Sequence, residues 1–393
     1  MPVVEVSIGP QHPALHEPVM LRVRVDGEDV VGVEVVTGYN HRGIEKLAES
    51  NTFLKTLYIV TRVCGICNMM HSTCYVQALE EIQGIEPPPR AQALRVLAME
   101  LERLHSHMLL AAVVAEIIGF ESLFMLIMRD RERVMHLKEL LTGNRVIADY
   151  VWPGGVRRDL SPETAEKIKR SMDFLEQRIR YYMGVYVSDK LIRSRLEDVG
   201  VIPYSEAVRH GLVGPTARGS GVDIDVRRDD PYAWYSELDF RVARRNEGDS
   251  LARMMVRFEE MLESINMIRQ VLEKLPSGPI NSLKVPPRRF REGEAVSRVE
   301  APRGELLYHV ISRGGAKPYR VKIRTPSLPN ILNSLIAYRG VTLSDVPVIL
   351  ASFDPCISCM ERIIVVDERT GRERVESLRR LARLAGTDTR GGR

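Results

Sequence analysis

The sequence is poor in cysteine and aromatic residues, has no marked excess of either charge and contains no long apolar run. With 56 basic and 52 acidic residues among 393, its net charge is only +4, too weak a field to hold nucleic acid. The longest apolar stretch, MLLAAVVAEIIGF, is interrupted by Glu116, and a membrane-spanning helix needs roughly 20 apolar residues. The start, MPVVEVSIGPQHP, lacks the charged and apolar segments of a signal peptide. We therefore expect a cytoplasmic chain with no transmembrane segment of its own and no nucleic-acid partner.

The few cysteines that are present are paired along the sequence. Four of the five lie in two C-x-x-C motifs, Cys64 with Cys67 and Cys356 with Cys359. Two such pairs make a four-sulfur metal site, and the thiols alone suggest structural zinc or an iron–sulfur centre. Zinc ribbons, however, close loops of roughly 15–20 residues, whereas these pairs are separated by most of the chain. The spacing therefore weakens the zinc interpretation without removing it.

The residues after Cys67 have a helical pattern that bears on the first pair. Cys67, His71 and Cys74 stand at i, i+4 and i+7, which places them on one helix face. His71 would then lie one turn from a metal-bound sulfur and donate a hydrogen bond to it. The alternative is a buried core histidine. Cys74 is most simply a small buried hydrophobic residue.

The rest of the chain predicts an α+β fold. Alternating residues around Asp26 and Gly27 indicate a hairpin over 19–36. Apolar residues at helical spacing follow, from Pro88 to Gly119 and from about Ser250 to Leu275. Between these two predicted helices, the stretch SPET predicts the start of another helix, with Ser161 as its N-cap.

We therefore expect a long-helix bundle core with small N-terminal and C-terminal β elements. The bundle is expected over about 45–275 and the second β region over about 296–350. Residues 1–362 would form a single domain, followed by a tail, 363–393. The glycine-rich stretch GPTARGSG lacks the Lys-Ser/Thr ending of a phosphate loop, so we do not predict one.

Together these stretches resemble the large subunit of nickel–iron hydrogenases. More closely, they resemble its energy-converting, membrane-bound branch, which is homologous to the quinone-site subunit of respiratory complex I. The resemblance rests on several blocks in the family's order: IGPQHPALHEPV, GYNHRGIEKL, RVCGIC, ELERLHSH, TGNRV, GGVRRD, GPTARGSGVDIDVRRDDPYAWYSELDF, APRGELLYHVISRGGAKPYRVKIRTPS and DPCISC. The quinone-site subunit shares most of these blocks, and the two cysteine pairs place the chain on the hydrogenase side.

The resemblance implies a ligand set for a nickel–iron centre with cyanide and carbonyl ligands on the iron. Cys64 and Cys356 would be terminal nickel ligands. Cys67 and Cys359 would bridge nickel to iron. Soft thiolates suit both metals.

It also implies roles for four further residues. Arg303, in APRG, would hold its guanidinium over the open coordination position beside Asp354. Ser327 would hydrogen-bond a cyanide nitrogen, and Glu45, in HRGIE, would pass protons to and from a terminal cysteine sulfur. The ordinary alternatives are a surface position for Glu45 and a plain salt bridge for Arg303. The loop PQHPALHEP resembles the loop that approaches quinone in complex I, with a structural role as its alternative.

The implied function is reversible, ferredoxin-linked reduction of protons to dihydrogen, coupled to an ion-pumping membrane arm. One cysteine outside the two pairs cannot build a cluster, so iron–sulfur clusters are expected only in a partner small subunit. Peripheral-arm and integral membrane subunits would hold the chain at the cytoplasmic face of the cell membrane. The main alternative is a complex-I-like quinone-site subunit of a quinone or sulfur-compound reductase that makes no dihydrogen. A third is a non-catalytic subunit with zinc in the four-thiol site.

The C-terminal end departs from many soluble hydrogenases. Arg362 stands three residues after Cys359, where those enzymes carry a metal-binding histidine, so we predict no accessory magnesium. In related hydrogenases a maturation protease removes a C-terminal tail after nickel insertion. We therefore predict cleavage directly after Arg362 in the active form.

Overall fold

The computed structural model describes residues 2–333 and 335–360, together with two short strands at 365–366 and 373–374. Helices dominate, and the strands form small antiparallel sheets, which confirms the predicted α+β class. Within the described ranges, no helix combines the length and the apolarity that a membrane crossing requires. Arg362 and most of the tail lie outside the described residues, and so does the predicted cleavage position.

The N-terminal sheet contains the predicted hairpin. Three strands pair in the order β1-β2-β3: β1 (Val4–Ile8), β2 (Met20–Asp26) and β3 (Asp29–Val36). On β2, alternate residues Leu21, Val23 and Val25 are buried, as expected for a strand with one face on the core. The loop between β1 and β2 returns towards the helices and, through Glu17, contacts the second thiol segment.

Thirteen α-helices are present in the described part of the chain. They are α1 (Ile44–Ser50), α2 (Phe53–Val60), α3 (Asn68–Gln83), α4 (Pro89–Ile117), α5 (Glu121–Thr142), α6 (Pro162–Ser188), α7 (Lys190–Leu196), α8 (Tyr204–Arg209), α9 (Gly214–Arg218), α10 (Val226–Asp229), α11 (Ser250–Lys274), α12 (Ser327–Asn333) and α13 (Val346–Ser352). Helix α4 is buried along most of its length and packs against α5 and α11. Helices α3, α4, α6 and α11 fall where the sequence predicts helices, whereas α5 was not singled out. The Ser161 hydroxyl caps α6 by accepting from Thr164 N at 3.1 Å.

The second substantial sheet lies across α3. It consists of β6 (Phe290–Ala301), β7 (Gly304–Gly315) and β8 (Arg320–Arg324), which pair in that order. Earlier in the chain, β4 (Val151–Trp152) and β5 (Gly155–Val156) form a short hairpin. Near the end of the chain, β9 (Val365–Val366) and β10 (Glu373–Arg374) pair with each other.

This sheet differs from the β region predicted over about 296–350. It begins at Phe290, its third strand ends at Arg324, and α12 and α13 follow it. Short apolar runs such as VPVILAS do not distinguish a strand from a buried helix by pattern alone. Here Pro347 stands in the first turn of α13, where proline suits a helix start.

Candidate metal centre

The two thiol pairs meet in one buried pocket. Cys64 and Cys67 lie in the turn that precedes α3, and Cys356 and Cys359 follow α13. The sulfur atoms of Cys64 and Cys356 are 3.4 Å apart, and all four side chains are buried. The ligand atoms of Cys64, Cys356 and Cys359 lie within 4.8 Å of one another, as do those of Cys67, His71 and Cys359. The four thiols that the sequence singles out therefore form one cluster.

One guanidinium joins the two thiol segments. Arg42 donates from Nη1 to the Arg62 carbonyl at 2.8 Å, and from Nη2 to the Val63 carbonyl at 2.9 Å. The same Nη2 donates to the Ser358 carbonyl at 2.8 Å. Arg42 thus holds the backbone before Cys64 against the turn inside the second pair. Sequence reasoning did not single it out, although it lies in the HRGIE block.

The thiols share negative charge unequally. Backbone N–H groups of Ile66 and Cys67 donate to Cys64 Sγ at 3.3 and 3.4 Å. Hydrogen bonds from the Cys356, Cys359 and Cys67 thiols hold the pKa of Cys64 well below its ordinary value. Hydrogen bonding to Cys356 and the other thiols raises the pKa of Cys359 well above its ordinary value. A buried set of four soft donors, one of them readily ionised, fits nickel and iron and also fits zinc.

Arg303 and Asp354 form a buried pair beside the thiols. Arg303, in the turn between β6 and β7, donates from Nη2 to Asp354 Oδ1 at 2.7 Å and from Nε to the Asp354 carbonyl at 2.8 Å. Burial opposes its charge, but Asp354 and the Cys356 and Cys64 sulfurs raise the pKa of Arg303 well above its ordinary value. The predicted guanidinium is therefore next to the predicted thiols and carries a fixed positive charge. Among the described residues, Asp354 Oδ2 has no hydrogen-bond partner.

Ser327 lies at the start of α12 and contacts the second pair. Its Oγ accepts a hydrogen bond from Cys356 N at 3.1 Å. The hydroxyl hydrogen remains to be donated, which is what a cyanide nitrogen would require. Two residues earlier, Thr325 donates from Oγ1 to the Cys359 carbonyl at 2.9 Å. Both hydroxyls thus fix the backbone of the second thiol pair.

His71 reaches the cluster from the first turn of α3. Its Nε2 lies 3.9 Å from Cys359 Sγ, and its Nδ1 lies 2.7 Å from the Tyr308 hydroxyl. Burial lowers the pKa of His71 to about 4, so the ring is neutral at ordinary pH. We assign the tautomer in which Tyr308 donates to Nδ1 and Nε2–H faces the sulfur. Tyr308, on β7, is a residue that the sequence analysis missed.

The structure gives two acidic side chains, Glu45 and Glu17, different partners. Glu45 lies on α1 and contacts β8: its Oε2 pairs with Arg320 at 2.7 Å, and its Oε1 accepts a hydrogen bond from Ile323 N at 3.0 Å. Glu17, in the loop between β1 and β2, accepts from Ser358 N at 3.0 Å and from Ile357 N. Those two amides belong to the turn inside the second thiol pair.

The environment of Glu17 raises its pKa above the ordinary value for a glutamate. Burial is the largest cause and the charge of Cys64 adds to it, while the hydrogen bonds from Ser358 N and Ile357 N and the charge of Arg303 oppose it. Sequence reasoning passed over this residue, because a glutamate in a proline-rich loop gives no periodic signal. Its position in PQHPALHEP was the available indication.

A largely apolar cavity of about 220 Å³ opens beside the pocket. Its polar end is formed by Glu17, Arg303 and Asp354. Its apolar wall includes residues from the first thiol turn, α4 and α13: Ile66, Leu109, Leu110, Val113, Ile117 and Leu350. The cavity therefore gives an apolar ligand a route to the charged pair.

The remaining candidates have ordinary partners. Cys74 donates to the Ser297 carbonyl at 3.2 Å inside the core. His105 accepts from Arg131, and His107 lies 2.9 Å from Glu260, so the two histidines do not share a site.

Two family models match the chain. The model described as "Respiratory-chain NADH dehydrogenase, 49 Kd subunit" matches residues 118–290 and 284–362. The model described as "Nickel-dependent hydrogenase" matches residues 42–111, which include the first thiol pair.

Proteins similar to this chain include a hydrogenase, a dehydrogenase subunit and a subunit of a reductase complex. The chain is 43% identical over 360 residues to the carbon monoxide-induced hydrogenase of Rhodospirillum rubrum, covering 91% of this chain and 99% of that protein. It is 40% identical to a subunit of the F(420)H(2) dehydrogenase of Methanosarcina mazei, covering 91% and 97%. A solved structure of the membrane-bound sulfane sulfur reductase, an archaeal respiratory membrane complex, superposes with a TM-score of 0.87 at 35% identity, covering 92% of this chain and 98% of that one.

Proposed function

Because the chain belongs to the family of the 49-kDa subunit of respiratory-chain NADH dehydrogenase, whose members include membrane-bound hydrogenase subunits, we propose that it is the catalytic large subunit of a membrane-associated nickel–iron hydrogenase. The proposed reaction is the reversible reduction of protons to dihydrogen.

The observation that carries this proposal is the convergence of four thiols from distant parts of the chain on one buried pocket. Metal analysis of the native complex tests it. Nickel is the decisive metal, because the expected iron–sulfur partner brings iron in every case. Nickel supports the hydrogenase, zinc without nickel supports a structural site, and the absence of both nickel and zinc favours the reductase alternative. The same preparation is assayed for dihydrogen evolution.

A nickel–iron centre, when bound, supplies heterolytic cleavage of dihydrogen and holds the electrons. Cys64 and Cys356 would hold the nickel, and Cys67 and Cys359 would hold both metals. Ser327 keeps a hydroxyl hydrogen for a cyanide on the iron. Because the Arg303 side chain is buried, its positive charge acts on the pocket with little screening by solvent.

Protons must leave the pocket through side chains that alternate between charged and neutral forms. We propose Glu17 as the first acceptor, because it contacts the turn that carries Cys356 and Cys359, and its pKa is raised. Glu45, to which the family resemblance assigns proton passage, is the second carboxylate of the proposal. Its ion-pair partner Arg320 is 36% exposed, so Glu45 would pass the proton on close to the surface beside β8.

The proposed function requires partner proteins. Similar proteins are subunits of multisubunit membrane respiratory complexes. We propose that an iron–sulfur small subunit removes electrons, that peripheral-arm and integral membrane subunits hold the chain at the cytoplasmic face, and that a protease matures it.

The second candidate is a complex-I-like reductase subunit, and the apolar cavity favours it. A cavity of about 220 Å³ is larger than dihydrogen requires, and Arg303 at its polar end would suit an anionic or carbonyl-bearing acceptor. Reduction of a quinone analogue by a nickel-free complex would support this candidate against the hydrogenase.

A further inference from the structure

The first thiol pair stands where a helix normally needs a capping side chain. Cys67 is the N-cap residue of α3, and it makes no side-chain capping hydrogen bond. The first N–H groups of a helix have no partner inside the helix, and Ser, Thr, Asp or Asn at the N-cap usually accepts from one of them. At position 67 the sequence needs a thiol for the proposed metal centre. The cap must therefore come from elsewhere.

A carboxylate from another helix fills this role. Glu102, on α4, accepts through Oε2 from Met69 N at 2.7 Å and from Met70 N at 3.3 Å. Its Oε1 accepts from Asn68 Nδ2 at 2.8 Å. The side chain is 0% exposed. Glu102 thus binds the first three residues of α3, directly after Cys67.

The carboxylate is itself fixed from two further directions. Lys138 of α5, only 1% exposed, lies 3.3 Å from Glu102 Oε1. Asn68 also donates to the Val146 carbonyl at 2.7 Å and accepts from Ala148 N at 3.0 Å. Three helices and the 146–148 segment therefore meet at the residue that follows Cys67.

Stability alone gives no reason for this arrangement. Burying a carboxylate and an ammonium is costly for each ion, and apolar residues of the same shape are often as stable. The neighbouring negative charge of Cys64 adds to the cost, since burial and that charge raise the pKa of Glu102 to about 7. A buried acidic group kept this close to the thiol pair is better explained by the geometry it imposes on the backbone that carries that pair.

We propose that Glu102 is a positioning residue for the first thiol pair. By capping α3 from α4, it fixes the backbone that carries Cys64 and Cys67, so that their sulfurs face Cys356 and Cys359. This inference rests on the proposed function only in requiring that the four thiols bind a metal.

The test uses Co²⁺ as the probe on the reduced, nickel-free full chain under anaerobic conditions. The thiolate-to-cobalt charge-transfer band reports both affinity and geometry. The double variant Glu102→Leu with Lys138→Met removes the cap without leaving a buried charge unpaired. We expect Co²⁺ affinity to fall about 10–100-fold, as is usual when a group that orients metal ligands is lost. Glu102→Gln with Lys138→Met keeps an acceptor for Met69 N and should recover most of that loss.

The control is the ion pair between Glu80, near the C-terminal end of α3, and Arg95 of α4. Glu80 and Arg95 are also buried, with Oε1 and Nη2 2.6 Å apart. The double variant Glu80→Leu with Arg95→Met should alter stability but leave the cobalt spectrum and affinity unchanged.

Two results would overturn the inference: wild-type affinity in the leucine variant at Glu102, or an equal loss in the Glu80 control. Failure of the wild-type chain to bind Co²⁺ through thiolates would instead remove the four-thiol metal site, and with it the proposed function.

Discussion

At the scale of single residues, Asp354 has an unusual backbone. Its φ of 55° lies in the left-handed region, which costs a non-glycine residue about 1–3 kcal/mol, and Pro355 follows it. The conformation is held by Arg303, which binds both its carboxylate and its carbonyl. Strain of this kind persists where the surroundings fix it, and here it turns the chain sharply before Cys356. Arg303 therefore has a structural task as well as an electrostatic one.

The two carboxylates of the proposed proton route, Glu17 and Glu45, give the residue-scale prediction. Glu17→Gln should lower dihydrogen–deuterium exchange by about 10²–10⁴-fold with metal content intact, because the amide keeps its size but cannot carry the proton. Glu45→Gln should lower exchange less, because Glu45 is the second carboxylate of the proposed route and water at the surface beside β8 could take the proton in its place. Exchange that survives in Glu17→Gln but is lost in Glu45→Gln would make Glu45 the first acceptor.

At the scale of elements, the hairpin of β6 and β7 places Arg303 by close backbone packing. Gly304, with φ of 124°, lies against α9, and a Cβ there would be 2.6 Å from Gly214 N. A Cβ on Gly214 would in turn lie 2.4 Å from the Arg303 carbonyl. Only glycine fits on both sides of this contact. The turn that carries Arg303 is therefore locked to α9.

The glycine-rich block that begins at Gly214 also enters a buried ionic cluster. Arg218, at the end of α9, binds Glu260 at 2.6 Å and Glu300 at 2.8 Å. Glu300 stands three residues before Arg303 on β6, so the same two elements meet at the cluster and at the turn. This gives the block a structural task.

The glycine contact predicts a difference between two alanine variants. Gly304→Ala should destabilise the chain by about 2–4 kcal/mol, as overpacking and a strained φ combine, and should lower metal content by moving Arg303. The control is Gly27→Ala in the hairpin of β2 and β3, where φ is 66° and no atom lies within 4 Å of a Cβ. It should cost only about 1 kcal/mol and leave metal content unchanged. Urea unfolding and metal analysis measure both, and equal effects would contradict the proposed packing role.

At the scale of the whole molecule, the sequence predicted the parts with strong local signals. Helix periodicity, the Ser161 cap and the Asp26–Gly27 turn act over a few residues and were found in place. Arg42, Glu102 and Tyr308 were missed because their partners are distant in sequence and only folding brings them together. Glu17 was missed for the same reason, since its partners are backbone amides near the other end of the chain.

The C-terminal tail gives the prediction at this scale. Mass spectrometry of the large subunit from a dihydrogen-active native complex should show a chain that ends at Arg362. The tail is expected to keep the second thiol segment accessible until the metals are inserted. An intact mass that extends to Arg393 in an active preparation would refute maturation by cleavage. A nickel-free preparation from cells without a nickel supply is the control, and it should retain the tail.

The meeting of distant thiol segments also has a consequence for synthesis on the ribosome. At about 5–20 residues per second, the ribosome needs on the order of 15 to 60 s to pass from the first thiol pair to the second. During that interval the nascent chain presents Cys64 and Cys67 without their partners, as an incomplete chelate. A two-thiolate fragment attracts any soft cytosolic cation, zinc among them. If the four thiols bind the proposed nickel–iron centre, translation order favours prior capture of zinc, and pausing the ribosome between the two motifs should increase the zinc content of the finished chain.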